Sequence, residues 1–154
     1  MTARRHVLIV EARFYPDIAN ELAAGATAEL VRGQATWARQ AVPGAFELPA
    51  AIAFALRASA GGSQAPTYDG FIALGCVIRG ETDHYDHICR EVSRALMDLT
   101  IDAGVPLGFG LLTCRDRNQA WQRAAVTGKN KGADAAAACL VMMDLKGQHG
   151  PVLR

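Results

Sequence analysis

The sequence predicts an α/β fold in one domain, built on a parallel sheet with helices on both faces. Three observations carry this. Short apolar, β-branched runs are too brief for helices, and they alternate with longer segments of helical period. Their order, β-α-β-α-β-α-β-α-α, is that of strands joined by helical crossovers. The 154 residues are enough to bury a real core, and no repeat, low-complexity block or linker divides them.

Taken in order, His6 to Val10 (HVLIV) reads as a buried strand ended by charge. Pro16 to Arg32 reads as a helix, with proline in the first turn, Gly33 after the last, and Ile18, Leu22, Ala26 and Leu30 four apart on one stripe. Thr36 to Val42 is a weaker strand, and Pro43-Gly44 turns the chain into a second helix, Phe46 to Ala58. A loop over 61–66 leads to the clearest buried strand, Phe71 to Ile78. Asp83 to Ala103 is a long helix closed by Gly104, and Leu107 to Thr113 is the fourth strand. Helices over Asn118 to Ala125 and Lys131 to Leu145 complete the chain; the second is rich in alanine, which permits close packing, and the tail from Lys146 reads as frayed.

The composition excludes several classes of function. With 51% hydrophobic and 20% charged residues the chain is an ordinary globular one, and a net charge of +1 supplies no field for nucleic acid or an acidic membrane. No apolar run approaches the roughly 20 residues of a membrane span, and Val7 to Val10 is too short for a signal-peptide core. The cytoplasm is the expected location. Cys76, Cys89, Cys114 and Cys139 are widely spaced, unlike a zinc or disulfide framework, and Cys76, Cys114 and Cys139 read as small core residues.

In parallel sheets ligands collect at the carboxyl ends of the strands, so the residues just after each apolar run are the candidates. Arg13-Phe14-Tyr15 follows the first strand; its aromatics either stack on a planar ring or pack as core or interface residues. After the second strand Pro43-Gly44-Ala45-Phe46-Glu47 opens a helix, leaving free N–H donors, with Glu47 complementing the helix dipole. After the third, Gly80-Glu81-Thr82-Asp83-His84 is a plausible anion seat with an imidazole in the first helical turn. His84 and His87 with Asp83 and Asp86 could face a metal, but no third ligand cluster accompanies them, so no metal is expected. Arg123 and Lys131 could clamp a phosphate or be solvated surface charge. No nucleotide-binding loop follows a strand, which favours a phosphorylated small molecule.

Together, Arg13-Phe14, the Val-Pro-Gly-Ala-Phe-Glu run at 42–47, Gly-Cys-Val-Ile-Arg-Gly-Glu-Thr-Asp-His-Tyr-Asp at 75–86, Gly-Phe-Gly-Leu-Leu-Thr at 108–113 and Asn-Lys-Gly at 130–132 resemble the lumazine synthase family from about His6 to Leu145. The resemblance implies a three-layer α/β/α flavodoxin-like sandwich on a four-stranded parallel sheet, assembled at least as a pentamer with active sites between subunits. It implies a cofactor-free condensation of 5-amino-6-(D-ribitylamino)uracil with 3,4-dihydroxy-2-butanone 4-phosphate. By position it puts Phe14, Ala45, Phe46, Glu47, Cys76, Val77 and Ile78 around the pyrimidine and ribityl groups, with Phe109 contributed across the interface. Glu81, Thr82, Arg123 and Lys131 fall on the phosphate side, and His84 is the proton shuttle.

The sequence also departs from the family. Cys76 stands where threonine is common, and Arg115-Asp116 where Glu-Asn is frequent, with Asp116 still able to cap a helix. The N-terminus lacks the leading strand of many icosahedral members, and Lys129 stands near a turn that shell-forming members make glycine-rich; both favour a pentamer. Two rival readings remain. A pentameric archaeal-type riboflavin synthase would not need the phosphate set of Thr82, Arg123 and Lys131. A lumazine- or flavin-binding carrier would not need His84 beside Arg123.

Overall fold

The computed structural model describes residues 5–61 and 64–150 of the chain. Its elements alternate as β1 (His6–Ala12), α1 (Pro16–Arg32), β2 (Thr36–Val42), a 3-10 turn (Ala45–Glu47), α2 (Leu48–Ala60), β3 (Gly70–Ile78), α3 (His84–Asp102), β4 (Leu107–Cys114), α4 (Arg117–Ala124) and α5 (Lys131–Gln148). The strands form one sheet in the order β2-β1-β3-β4, and every pairing is parallel.

Alternation along the strands divides the core in two. Val7, Ile9, Ile72, Leu74 and Leu112 pack with Ile18, Leu22 and Leu30 of α1 and with Ala136 and Leu140 of α5. Leu8, Val10, Phe71, Ala73 and Leu111 pack on the opposite face with Leu48 and Ile52 of α2 and Val92 and Leu96 of α3. The expected three-layer α/β/α arrangement is what the chain adopts.

Several boundaries differ from the sequence reading, each for a local reason. Helix α2 begins at Leu48 because Gly44 to Glu47 forms its own turn, in which Glu47 Oε2 accepts the Gly44 N–H at 3.0 Å. Helix α5 runs to Gln148, and Lys146 is not frayed: its Nζ donates to the Gly104 carbonyl at 2.8 Å. The loop at 61–66 and the tail lie partly outside the described residues.

Helix α5 is seated unusually close to its neighbours. A Cβ on Gly132 would lie 2.0 Å from the Leu22 carbonyl oxygen of α1, and one on Gly108 would lie 2.0 Å from the Ala135 carbonyl oxygen. Both obstacles are backbone, so neither can swing aside. Gly132→Ala is therefore expected to lower the unfolding free energy by about 1–3 kcal/mol in a denaturant titration. An unchanged midpoint would show that α5 is free to shift.

Among the described residues no further strand pairs with either edge of the sheet, β2 or β4. Thr36, Gln40 and Ala41 of β2 are exposed, and Phe109 of β4 is 48% exposed. Natural sheets rarely leave long edges bare, because an open edge invites another chain.

Candidate active site

The sheet reverses its winding between β1 and β3, and a cleft of about 640 Å³ lies at the carboxyl ends of these strands. Its walls are Phe14 and Tyr15 after β1, Pro43 to Glu47 after β2, Cys76 to Ile78 at the end of β3, and His84 and Ile88 on α3. The sequence-derived set Phe14, Ala45, Phe46, Glu47, Cys76, Val77, Ile78 and His84 thus converges on one cavity.

Each wall has a local cause. Strand β1 ends where Arg13 and Phe14 leave the ladder, and Phe14 stands 69% exposed over the cleft with Tyr15 edge-on to its ring at 4.9 Å. Tyr15 is held in turn beneath Arg117, whose guanidinium carbon lies 6.0 Å from its ring centre and which pairs with Asp17. Phe46 is exposed as well, so two aromatic faces are available to a planar ligand. His84 is exposed at the start of α3, where its backbone N–H donates to Thr82 Oγ1 at 3.3 Å. His87 faces away and pairs with Asp83 at 3.2 Å.

Cys76 contributes bulk to the cleft and no nucleophile. Burial, reinforced by the adjacent Cys114 thiol, pushes its pKa up to about 12, so it stays protonated at neutral pH. Glu11, at the end of β1, is 3% exposed; burial opposes its charge, but hydrogen bonds and charges from Arg39 and Arg13 prevail and hold its carboxyl below the ordinary value.

Of the phosphate-side residues, Arg123 and Lys131 lie elsewhere, together with Phe109 of the pyrimidine set. Phe109, Thr113, Arg123, Lys131 and Asp134 line a second cleft of about 460 Å³ along the outer edge of β4 and the start of α5. Arg123 is half-buried and has no carboxylate partner among the described residues, whereas Lys131 pairs with Asp134 at 3.1 Å. Glu81 and Thr82 are exposed just before His84 in the chain and line neither cleft. Apart from Glu81 and Thr82, the residues assigned from the sequence therefore fall into two separate clefts within one chain, one at the strand ends and one at the β4 edge.

A cleft of about 680 Å³ runs along β2 and α2, walled by Leu8, Val42, Pro43, Ala51, Phe54 and Ala55. It is larger than either of these two clefts but carries no histidine or cation. Its walls resemble an unfilled packing surface more than a reaction site.

Sequence reasoning overlooked Ile88, although it lies four residues after His84 and so on the same helical face. It also overlooked the buried pairing of Glu11 with Arg39, which sits 28 residues away. Among the described residues no group of three or more His, Cys, Asp or Glu side chains is placed to hold a metal.

Residues 4–147 match the family described as 6,7-dimethyl-8-ribityllumazine synthase. The chain is 51% identical over 146 residues to 6,7-dimethyl-8-ribityllumazine synthase 1 of Rhizobium meliloti (strain 1021), covering 94% of each chain. It is 49% identical over 148 residues to the 6,7-dimethyl-8-ribityllumazine synthase of Agrobacterium fabrum, covering 96% of this chain and 99% of that one. The Bartonella tribocorum protein of the same name is 47% identical over 150 residues, covering 97% and 95%.

Proposed function

Since the chain belongs to the 6,7-dimethyl-8-ribityllumazine synthase family and is an enzyme of riboflavin biosynthesis, we propose that it performs the family's condensation in a site shared by two neighbouring copies of itself. 5-Amino-6-(D-ribitylamino)uracil condenses with 3,4-dihydroxy-2-butanone 4-phosphate, giving 6,7-dimethyl-8-ribityllumazine, phosphate and water. The observation that carries the shared site is the separation of the two half-sites: both are open clefts, the strand-end one lined by His84 but no Arg or Lys, the β4-edge one by Arg123 and Lys131 but no His.

In this reading the strand-end cleft holds the pyrimidine. Phe14 and Phe46 present ring faces, Ala45 and Glu47 border the uracil and ribityl groups, and Cys76, Val77 and Ile78 form the floor. The neighbouring copy brings Phe109, Arg123 and Lys131 against this cleft. Arg123 grips the butanone phosphate with forked donors, Lys131 adds a point charge, and Glu81 and Thr82 close the phosphate side. Arg123 is free to do so because no carboxylate of the described chain already occupies it.

The chemistry asks little of the protein beyond position. The substrate's own amine attacks the ketone, so no nucleophile is needed, in keeping with a Cys76 thiol held neutral. Holding two reactants in register converts a bimolecular step to an effectively unimolecular one. Phosphate leaves by elimination, and Arg123 stabilises the departing charge. His84, whose side chain has no hydrogen-bond partner among the described residues, takes and returns protons during imine formation, elimination and ring closure.

The bare sheet edges and the apolar cleft along β2 and α2 suit a ring of copies, and a pentamer is the assembly we favour. A cytoplasmic location is supported by four free cysteines and by no helix of the described chain being long and apolar enough to cross a membrane.

The test is a lumazine-forming assay with both substrates, absorbance and phosphate release followed in parallel. Lumazine and phosphate should appear together, and His84→Ala should slow both by roughly a hundredfold, within the range of a lost general acid–base. A protein that binds lumazine or riboflavin tightly and forms no product would instead be a carrier.

A further inference from the structure

We propose that Glu11 is a positioning residue for the pyrimidine site, fixing the gap between the Phe14 wall and the Ala45-to-Glu47 wall through Arg13 and Arg39. The inference rests on the reading of the strand-end cleft as the pyrimidine half-site.

Glu11 does not touch the cleft. It lies on the α1 face of β1, 3% exposed, and its two carboxylate oxygens receive three charged hydrogen bonds. Arg39 of β2 holds it at two points, Nε to Oε2 at 2.7 Å and Nη2 to Oε1 at 2.9 Å. Arg13, the residue before Phe14, donates Nη1 to Oε1 at 2.9 Å, and its other amino group pairs with Asn20 of α1.

The location of this clamp is informative. From His6↔Thr36 to Ala12↔Val42 the backbone ladder already joins β1 to β2. Beyond it the last bond is Arg13 N–H to the Val42 carbonyl, long at 3.3 Å. One strand then becomes the Phe14 wall and the other becomes the Pro43-to-Glu47 wall. The charged clamp therefore sits where the ladder gives out and the two walls diverge.

Burying a carboxylate between two guanidinium groups gains little net stability over well-packed apolar residues of the same size. What it adds is direction: the two-point hold of Arg39 and the branch to Arg13 fix three backbone segments at defined angles. A shift of about 1 Å between walls that grip opposite sides of a flat ring is enough to lose productive contact. Tyr15 is edge-on to Phe14 and touches the ring itself, whereas Glu11 acts on the backbone that carries it.

The experiment compares Glu11→Gln, Arg39→Lys and Phe14→Ala. Each is assayed with one substrate varied at a time, with calorimetric binding of the pyrimidine substrate alone and with thermal melting. Glu11→Gln is expected to raise the KM and Kd for the pyrimidine about tenfold, with kcat and the KM for the butanone phosphate within about twofold. Arg39→Lys alters a half-exposed residue and keeps its charge while losing the two-point hold; it should shift the same constants in the same direction by a smaller factor.

Phe14→Ala separates the two ideas. If it weakens pyrimidine binding while Glu11→Gln and Arg39→Lys lower only the melting temperature, the clamp is merely structural and the proposal is overturned. If Phe14→Ala itself leaves pyrimidine binding unchanged, the reading of the cleft fails, and the clamp's role fails with it. Should Glu11→Gln not fold, Arg39→Lys decides alone, by the same constants.

Discussion

Arg123→Ala is expected to lower kcat/KM for the butanone phosphate by about a hundredfold, while the KM for the pyrimidine changes by less than about twofold. The size follows from what is removed. A forked, charge-assisted hold on a phosphate contributes about 1.5–3 kcal/mol, and each 1.4 kcal/mol is a factor of ten. The loss should be confined to the substrate because Arg123 has no carboxylate partner among the described residues to be left unpaired. Lys131 cannot take over, since it lies against Asp134 at 3.1 Å and supplies one compact charge with no fork. Arg123→Lys should recover only part of the loss. Steady-state kinetics with each substrate varied in turn checks this, and an unchanged KM for the butanone phosphate would remove Arg123 from the site.

Co-expression of Arg123→Ala and His84→Ala chains in equal amounts should restore activity that neither has alone, to about a quarter of the unmodified level. The fraction comes from counting neighbours in the proposed ring, where each site would be completed by the next copy across a head-to-tail interface. A working site needs an intact His84 from one copy and an intact Arg123 from the next, and each condition is met half the time. Recovery of this size is possible only because the strand-end cleft and the β4-edge cleft lie apart on one chain. Activity no greater than the average of the two variants would mean that each site is completed within a single chain.

How far these features could be read in the sequence depends on how local their causes are. The strands were legible because β-branched runs such as Val7 to Val10 and Phe71 to Ile78 are buried on both faces, and a parallel sheet leaves them no polar alternation. Helix α1 was legible to the residue, since Pro16 and Gly33 mark its ends. The start of α2 was read early because Glu47 folds back onto the Gly44 N–H, a bond between two residues that each look ready for a helix. The length of α5 was underestimated because Lys146 is held by Gly104, a contact 42 residues away.

The cleft residues followed from their strand ends, since the segments leaving the carboxyl ends of β1, β2 and β3 line the same crevice. The half-site at β4 did not. Phe109 lies within β4, the edge strand of the sheet, where it is left exposed among the described residues. The sequence alone gave no sign, short of family resemblance, that Arg123 and Lys131 would face away from His84. The Glu11 clamp was hidden for a similar reason: Arg13 is two residues off, but Arg39 reaches Glu11 only through strand pairing.

In the proposed ring, the separation of the strand-end and β4-edge clefts on each chain has a thermodynamic consequence. There, a molecule touching both walls would be bound by two chains at once, so that filling the site and holding the ring together would become a single linked equilibrium. Such a ligand at about 100 times its Kd would strengthen each occupied interface by about 2.7 kcal/mol. Substrate, product or a bridging inhibitor would thus act as mortar between protomers, and the ring would resist dilution and heat best while it is at work.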